Sequence, residues 1–371
     1  MNTDRLVRTF QELVSIDSPS FDERRMADEL AGRLKELGFA VSEDGAGEYY
    51  GGTAGNLYAY REGTLPGEPL LFSTHMDTVE PARGKRAVLR GDGRIESGGD
   101  TVLGADCMAG TAALLEALAE LKEEGKDCRS LELLFFIGEE RHLRGSAVFD
   151  FSRVRAKESY ILDLSGPLGR AANQAPTLVD FRIAVHGKAA HAGFAPEKGV
   201  HAIAAASRAV ARMELGRVGQ DMTVNIGHIE GGVKATNIVP DACFLMGEVR
   251  SYSHERALAQ MKNIEELFRE EAEKAGGSCE VSYTVPVHAY QVPESHPAVS
   301  RFRRACEKLG FPGVLEPTFG GSDQSNLSLH GIQGLVLASA MEQVHSCGEY
   351  TTVSGLETVA ELVKLLMQDR E

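Results

Sequence analysis

Short apolar segments alternate with stretches of helical periodicity in the first part of the chain, and this alternation is the feature that most restricts the fold. Thr3–Val14 and Asp22–Leu37 place apolar residues at helical spacing, as does Thr111–Leu121 further on. The strand-like runs are Ala40–Ser42, Asn56–Tyr60, Pro69–Ser73, Leu131–Ile137 and Tyr160–Asp163. Strands that alternate with helices in this way predict a doubly wound α/β sheet.

A different order of elements occupies the middle of the chain. Between Thr177 and Thr284 the strand-like and helical segments follow the order β-α-β-β-α-β, which is typical of a ferredoxin-like α+β sandwich. After Tyr290 the α/β rhythm returns, and we expect the last helix to begin at a capping box formed by Ser354 and Glu357. We therefore predict a domain at 177–290 that is inserted between the two parts of a first domain, 1–176 and 291–371.

Charge and cysteine content exclude several classes of protein. Of the 371 residues, 54 are Asp or Glu and 39 are Lys or Arg, so the net charge is −15, which argues against nucleic acid as a partner. The six cysteines contain no C-x-x-C pair, which indicates a reducing compartment and no thiolate zinc site. No apolar run is long enough to span a bilayer, and the amino terminus resembles an amphipathic helix rather than a signal peptide. We predict a cytoplasmic protein without a membrane partner.

Side chains that can bind metal follow the apolar strands. Open α/β sheets hold ligands at the carboxyl ends of their strands. His75 ends one buried run, and Asp77, two residues later, could accept the proton of its second ring nitrogen. Asp106 lies in a glycine-flanked loop before a helix, where one carboxylate can reach two cations. These positions predict a metal site that is built from histidine and carboxylate.

Three further positions complete this set. Glu139 and Glu140 follow another buried strand, and because successive side chains diverge, one can bind metal while the other faces a water molecule. Asp163 ends a third strand, and His345 follows a late one. Two histidines and three carboxylates suffice for two zinc ions about 3.5–4 Å apart that share one carboxylate. Such a pair of ions would activate water for attack on a carbonyl, with a carboxylate that moves the proton.

Together these residues resemble the zinc-dependent exopeptidase and deacylase family of peptidase T, carboxypeptidase G and the aminoacylases, and the peptidase T-like branch in particular. The resemblance covers the whole chain. The matching motifs are Ser73–Val79, Gly104–Asp106, Ile137–Glu140, Leu162–Asp163, His186–Gly193, Ala235–Pro240, Gly320–Asp323 and His345. It implies a doubly wound zinc-peptidase catalytic domain with an inserted ferredoxin-like lid, through which a homodimer would form.

The resemblance also implies roles for individual residues. Asp106 would bridge two divalent ions, zinc first and manganese or cobalt as alternatives. His75 and Asp163 would complete one ion site, and Glu140 and His345 the other. Glu139 would be the general base and acid, and Asp77 would orient His75. In the inserted domain, His191 would complete the oxyanion site, and Asn237 and Arg250 would bind the substrate carboxylate.

The chain departs from the family at two places near the metals, one of which is His142, where members commonly have Gly after the tandem glutamates. The other is beside Asp106. Members commonly have Asp-Asp-Lys-Ala-Gly where this chain has Asp106-Cys107-Met108-Ala109-Gly110. Cys107 could supply a soft ligand, or it could fill the space of the second residue as a neutral thiol.

Three functions follow from these observations. The first is cleavage of short peptides near a free amino terminus, as by a tripeptide aminopeptidase. The second is removal of the acyl group of an N-acyl amino acid, or cleavage of a carboxy-terminal residue. The third is a metal-binding regulator without activity, against which the complete ligand set and Glu139 argue.

Overall fold

The computed structural model describes residues 1–371. Its ten α-helices are α1 (Thr3–Val14), α2 (Arg24–Glu36), α3 (Ala46–Tyr50), α4 (Ala105–Glu124), α5 (Arg144–Val148), α6 (Ala202–Arg212), α7 (His254–Lys274), α8 (Pro297–Lys308), α9 (Gln324–Leu329) and α10 (Val353–Met367). The strands are β1 (Ala40–Glu43), β2 (Leu57–Arg61), β3 (Leu70–His75), β4 (Ala87–Leu89), β5 (Arg94–Ser97), β6 (Leu131–Phe136), β7 (Glu158–Leu164), β8 (Arg170–Ala175), β9 (Thr177–His186), β10 (Gly216–Arg217), β11 (Met222–Gly231), β12 (Ala242–Ser251), β13 (Ser278–Val287), β14 (Tyr290–Gln291), β15 (Val314–Pro317), β16 (Gln333–Ala338) and β17 (Tyr350–Thr352). No helix combines the length and hydropathy that crossing a bilayer requires.

The chain divides into two compact units, residues 1–174 with 291–371, and residues 175–290. The first unit contains a sheet in the order β1-β2-β6-β3-β7-β16-β8-β14, with β15 paired to β8. Its four central strands, β6, β3, β7 and β16, are parallel, whereas β1 and β2 are antiparallel to their neighbours. The predicted α/β class is therefore confirmed.

Helices and irregular segments cover both faces of the central strands, so β3 and β6 are buried along their whole length. Helix α4 is almost entirely buried against β3 and β7. It can approach β7 closely because Gly110 has no side chain: a Cβ there would lie 2.6 Å from the carbonyl oxygen of Leu162. Phe149, Phe151 and Leu327 pack on the other face of the sheet. This packing holds the carboxyl ends of the parallel strands in fixed positions.

The second unit has the predicted ferredoxin-like arrangement. Its antiparallel sheet has the order β10-β11-β12-β9-β13, and helices α6 and α7 cover one face. Alternate residues of β9, among them Phe181 and Ile183, point into this core together with Phe268 of α7. Thr177 and His186 are the first and last residues of β9.

Two local features differ from the sequence prediction. Helix α10 is capped by Thr352, whose side chain accepts a hydrogen bond from the backbone N–H of Gly355, so the capping box expected at Ser354 is wrong. A small sheet in the order β17-β5-β4 was also not predicted. Its strands have only three or four residues, too few to show a period, and β17 pairs with a segment about 250 positions earlier in the chain.

Candidate metal and catalytic site

The predicted ligands of the first unit lie at the carboxyl edge of the parallel strands. His75 is the last residue of β3 and pairs in register with Phe136, the last residue of β6. The strand β6 leads directly into the turn that carries Glu139 and Glu140, and Asp163 lies near the end of β7. Because these strands are adjacent and parallel, the side chains at their ends are brought to one edge of the sheet.

Three overlapping groups of side chains could each hold a metal ion, and two of them share Asp106: the first is His75, Asp106, Cys107 and Asp163, and the second is Asp106, Glu140 and His345. The remaining group is His75, Glu139 and Glu140. In the first, Nε2 of His75 lies 3.0 Å from Oδ1 of Asp106 and 3.7 Å from Oδ1 of Asp163. In the second, Nε2 of His345 lies 3.2 Å from Oδ2 of Asp106 and 3.1 Å from Oε1 of Glu140. The two oxygens of Asp106 therefore face different histidines. This is the arrangement that a carboxylate shared by two ions requires.

The donor chemistry of these groups fits divalent cations. They offer imidazole nitrogens and carboxylate oxygens, the ligands of zinc sites that keep a position open for water or substrate. Oε1 of Glu140 is buried and has no hydrogen-bond partner, although it lies only 3.1 Å from a histidine nitrogen. A buried acceptor that faces another potential ligand atom without a hydrogen bond is well placed to bind a cation.

Burial controls the protonation of these carboxyl groups in the metal-free protein. It raises the pKa values of Glu139 and Asp163 well above the usual range, and neighbouring carboxylates add to the effect. Asp106 behaves differently, because hydrogen bonds with His345 and His75 outweigh its burial and lower its pKa. The carboxylates of Asp106 and Glu140, both close to its Nε2, raise the pKa of His345 to about 10. Cations that bound here would therefore displace protons from the site.

Asp77 organises the turn that carries the two glutamates. Its Oδ1 accepts a hydrogen bond from the backbone N–H of Glu139 at 2.9 Å, and Oδ2 accepts bonds from the N–H of Glu140 at 3.2 Å and the hydroxyl of Ser20 at 2.7 Å. Nδ1 of His75 lies closer to the backbone oxygen of Asp77, at 2.9 Å, than to the carboxylate, at 3.4 Å. The contact expected between Asp77 and His75 is thus made mainly through the main chain.

The same turn depends on a glycine. Gly138 has a left-handed conformation with φ of 55°, and a Cβ at this position would lie 2.8 Å from the ring of Phe21. The two glutamates follow it as a single 3₁₀ turn. The close approach of the Phe21 ring therefore leaves room only for glycine before Glu139.

Cys107 is the buried cysteine of the first group. Its Sγ donates a hydrogen bond to the backbone oxygen of Leu162 at 2.9 Å, and burial raises the pKa of the thiol well above its ordinary value. A thiolate is the form that binds metal. The structure therefore favours the neutral thiol over the soft ligand, the other alternative left open by the sequence.

A cavity of about 470 Å³ opens beside the second group of ligands, and Glu140 forms part of its wall. Pro19, Phe21 and Val79 supply apolar surface, and Arg83 supplies positive charge. A cavity of this size is typical of sites for small organic ligands.

The structure also adds residues that sequence reasoning missed. Asp323 is buried and accepts a hydrogen bond from the hydroxyl of Ser146 at 2.5 Å, and its burial raises its pKa to about 7. The Gly320–Asp323 motif was a signal for this residue, but nothing in the sequence pointed to Ser146. Glu349 is another such residue, and it accepts hydrogen bonds from the backbone beside Asp106.

In the second unit, the segments that carry His191 and Asn237 lie side by side. The backbone N–H of Ala192 donates to the carbonyl oxygen of Asn237 at 2.9 Å, and His191 forms a β-bridge with Ile238. Nδ1 of His191 accepts bonds from two backbone N–H groups at 3.1 and 3.2 Å. A neutral His191 ring must therefore carry its proton on Nε2, which makes that nitrogen a hydrogen-bond donor.

Arg250 is not brought together with these two residues within the second unit. It pairs in register with Leu178, eight positions along β9 from His186, where the loop to His191 begins. At about 3.3 Å per residue this separation is about 26 Å. The guanidinium of Arg250 contacts both carboxylate oxygens of Glu248, at 2.8 and 3.1 Å. The register thus places Arg250 toward the other end of the sheet from Asn237.

Comparisons with known proteins agree with this geometry. Residues 175–276 match the peptidase dimerisation domain of the M20 type, and residues 56–174 match peptidase family M28. The uncharacterized protein YqjE of Bacillus subtilis (strain 168) is 37% identical over 100% of this chain and 99% of its own length.

Two solved structures have nearly the same fold. A tripeptidase from Staphylococcus aureus subsp. aureus Mu50 has a TM-score of 0.97 and 33% identity, and the match covers 99% of this chain and 98% of that chain. Aminopeptidase PepT from Bacillus cereus ATCC 10987 has a TM-score of 0.94 and 38% identity, with the same coverage.

Fold and site together define a hydrolase of the metallopeptidase class. Within that class, the chain belongs to the family that includes aminopeptidase PepT and the tripeptidase, both of which are more than 30% identical to it over nearly the whole chain. The family resemblance, the fold class and the peptidase class predicted from the sequence are confirmed.

Proposed function

We propose that this protein is a two-metal aminopeptidase that removes the first residue of short peptides, with tripeptides as its main substrates. The observation that carries the proposal is the position of Asp106, whose Oδ1 faces His75 and whose Oδ2 faces His345. The similarity to a tripeptidase and to aminopeptidase PepT over nearly the whole chain supports the choice of bond.

The ligands would divide into two sets that share Asp106. His75 and Asp163 would complete one set, and Glu140 and His345 the other. Zinc suits both sets, because its sites combine imidazole with carboxylate and leave room for water or substrate. Manganese and cobalt are the alternatives that the same donors accept. Two such ions, when bound, would polarise the peptide carbonyl and lower the pKa of water.

Glu139 would move the proton. It is buried beside the ligands, where a carboxylate could take a proton from the attacking water and give it to the leaving amine. Asp77 would hold Glu139 in place through its backbone N–H. The cavity beside Glu140 would receive part of the peptide.

The second unit would supply substrate contacts and a dimer interface. Nε2–H of His191 is a donor suited to the developing oxyanion, and Asn237, on the paired segment, would bind the substrate carboxylate. The match of residues 175–276 to a peptidase dimerisation domain supports a homodimer formed through this unit. Arg250 would bind the substrate carboxylate from a different position than Asn237, because its register separates the two residues within one chain.

A substrate panel tests this function. Metal-free protein is loaded with zinc, manganese or cobalt and is given one tripeptide, the same tripeptide with an acetylated amino terminus, the matching dipeptide and the matching N-acetyl amino acid. Mass spectrometry of the products identifies the bond that is cut. We expect release of the first residue from the free tripeptide, and little cleavage once its amino terminus is acetylated.

The other outcomes separate the remaining functions. Preferred cleavage of the N-acetyl amino acid would replace the proposal with a deacylase, and release of the last residue would replace it with a carboxypeptidase. If no substrate is cleaved while two metals are bound, the regulator without activity is the better description.

A further inference from the structure

Glu349 connects two segments that carry proposed metal ligands, although its own side chain belongs to none of the groups that could hold a metal ion. Its carboxylate is 1% exposed. Oε2 accepts a hydrogen bond from the backbone N–H of Gly104 at 2.7 Å, and Oε1 accepts one from the N–H of Asp106 at 2.9 Å. Each oxygen thus has its own donor, and both donors lie in the segment that presents the shared carboxylate.

The chain around Glu349 also presents His345. Glu342 and Tyr350 exchange two backbone hydrogen bonds of 3.0 Å, which close a loop that contains both residues. Within this loop His345 has a left-handed backbone with φ of 60°, a conformation that is unfavourable for histidine and persists only where surrounding contacts enforce it. Glu349 is four residues after His345 and ties the loop to the start of helix α4.

A carboxylate is the side chain that this position needs. Two backbone N–H groups point at it from the irregular turn that opens α4, in which Asp106 has a non-helical backbone, and buried N–H groups of this kind need an acceptor. Glutamine has the same shape, but only one of its two terminal atoms accepts a hydrogen bond. Its amide nitrogen would face a backbone N–H, and one of the two links would be lost.

We propose that Glu349 is the positioning residue of the metal site formed by Asp106, Glu140 and His345, because it fixes the Asp106 backbone and the His345 loop to each other. This inference rests on the proposed two-metal function. The site formed with His75 and Asp163 depends less on Glu349, because these two ligands lie on strands of the central sheet.

Metal titration of the purified, metal-free protein tests the proposal. Zinc is titrated into wild type and Glu349→Gln by calorimetry, with His345→Ala and Asp163→Asn as references that show which binding step belongs to which site. His345→Ala should abolish one of the two zinc-binding steps. We expect Glu349→Gln to lower the zinc affinity of that same step by about 10–100-fold, the usual effect of losing a residue that orients a ligand. The step that Asp163→Asn removes should change much less.

Glu132→Gln is a matched control. Glu132 is also fully buried, and its carboxylate accepts bonds from the backbone N–H groups of Arg155 and Ala156 at 3.1 and 2.7 Å. It lies near the start of β6, away from the ligand edge. If Glu349→Gln weakens both steps equally, or weakens neither, or if Glu132→Gln has the same selective effect, the positioning role is wrong.

Hydrogen exchange of the wild-type protein gives a second test that needs no variant. If the hydrogen bonds to Glu349 exist before metal binds, the amides of Gly104 and Asp106 should exchange slowly in the metal-free protein. Rapid exchange would overturn the proposal even if Glu349→Gln does not fold.

The two-metal function and the positioning role of Glu349 can be tested separately. Wild type that binds a single zinc ion contradicts the two-metal function, whereas wild type that binds two, with an unchanged variant, contradicts only the role of Glu349.

Discussion

The carboxylate of Asp77 accepts a hydrogen bond from the backbone N–H of Glu139 at 2.9 Å, and this bond joins the end of strand β3 to the turn after β6. Asp77 is fully buried. The side chain of Asp77 therefore positions Glu139, the proposed general base, through a hydrogen bond. The ring of His75 lies closer to the main-chain oxygen of Asp77 than to its carboxylate.

We expect Asp77→Asn to lower kcat by about 10–100-fold, the range found when residues that orient a metal site are lost. The new amide group would face the N–H of Glu140, from which Oδ2 now accepts a bond. Steady-state kinetics on the tripeptide measures the effect. Asp44→Asn is the control, because Asp44 also accepts bonds from two backbone N–H groups, at 3.0 and 2.7 Å, in another loop. Equal kcat values for Asp77→Asn and Asp44→Asn would count against this role.

Glu139→Gln should reduce kcat by about 10²–10⁴-fold, the range for loss of a general base or acid, because the amide cannot take a proton from water. The metal content should stay that of wild type, since Glu139 is not in the proposed ligand sets. Elemental analysis and single-turnover kinetics measure the two quantities. Glu140→Gln is the contrasting variant and should lose metal. Wild-type turnover in Glu139→Gln would refute the mechanism.

Cys107 should remain a thiol when metal is bound, because its Sγ donates to Leu162 and its burial raises its pKa. Cobalt-loaded protein should therefore lack the intense absorption of a thiolate–cobalt bond. The spectrum of Cys107→Ser, loaded in the same way, should match that of wild type. A charge-transfer band present in wild type and absent in Cys107→Ser would show instead that the sulfur is a ligand.

The buried Lys85 should make the free energy of unfolding depend on pH, and Lys85→Met should remove this dependence. The Lys85 side chain is 2% exposed, and burial lowers its pKa to about 8 from 10.5. Between these values the unfolded chain binds more protons, so the wild type gains stability as pH rises. At pH 7 the buried charge costs about 3 kcal/mol, at 1.36 kcal/mol per pKa unit.

Replacement Lys85→Met should therefore raise the free energy of unfolding by up to about this amount below pH 8, and the gain should vanish above pH 10.5. Urea denaturation across this range measures the difference between variant and wild type. Lys262→Met, at a side chain that is 74% exposed, should show no such dependence. A gain for Lys85→Met that is constant with pH would mean that packing, and not charge, is responsible.

Much of the fold was predictable because the signals are local. Helix α1 has the bounds expected from its apolar spacing, and β3 and β6 extend over the apolar runs that predicted them. The start of helix α10 was not predictable in the same way. The capping box predicted at Ser354 rested on local sequence alone, whereas the pairing of β17 with β5 holds Thr352 in an extended conformation and makes it the cap.

The candidate site likewise contains residues that were predictable from the sequence and residues that were not. The candidate ligands His75, Glu140 and Asp163 each follow or end an apolar strand, so the rule that parallel strands present ligands at their carboxyl ends found them. Glu349 and Ser146 have no such signal. A glutamate in a polar loop resembles any exposed glutamate until the partner segment is known, and that segment is more than 200 positions away.

Periodicity and motifs are written within short stretches of chain, so the order of elements and the family were predictable from the sequence, together with a set of candidate metal-binding side chains. Three relationships depend on the tertiary structure: the two oxygens of Asp106 face different histidines, Asp77 accepts a hydrogen bond from Glu139, and Arg250 lies apart from Asn237 within one chain. The reason is geometric. Hydrogen bonds and metal ligation act over about 2–3 Å, and distances of that order between distant parts of a chain are fixed by strand register and packing.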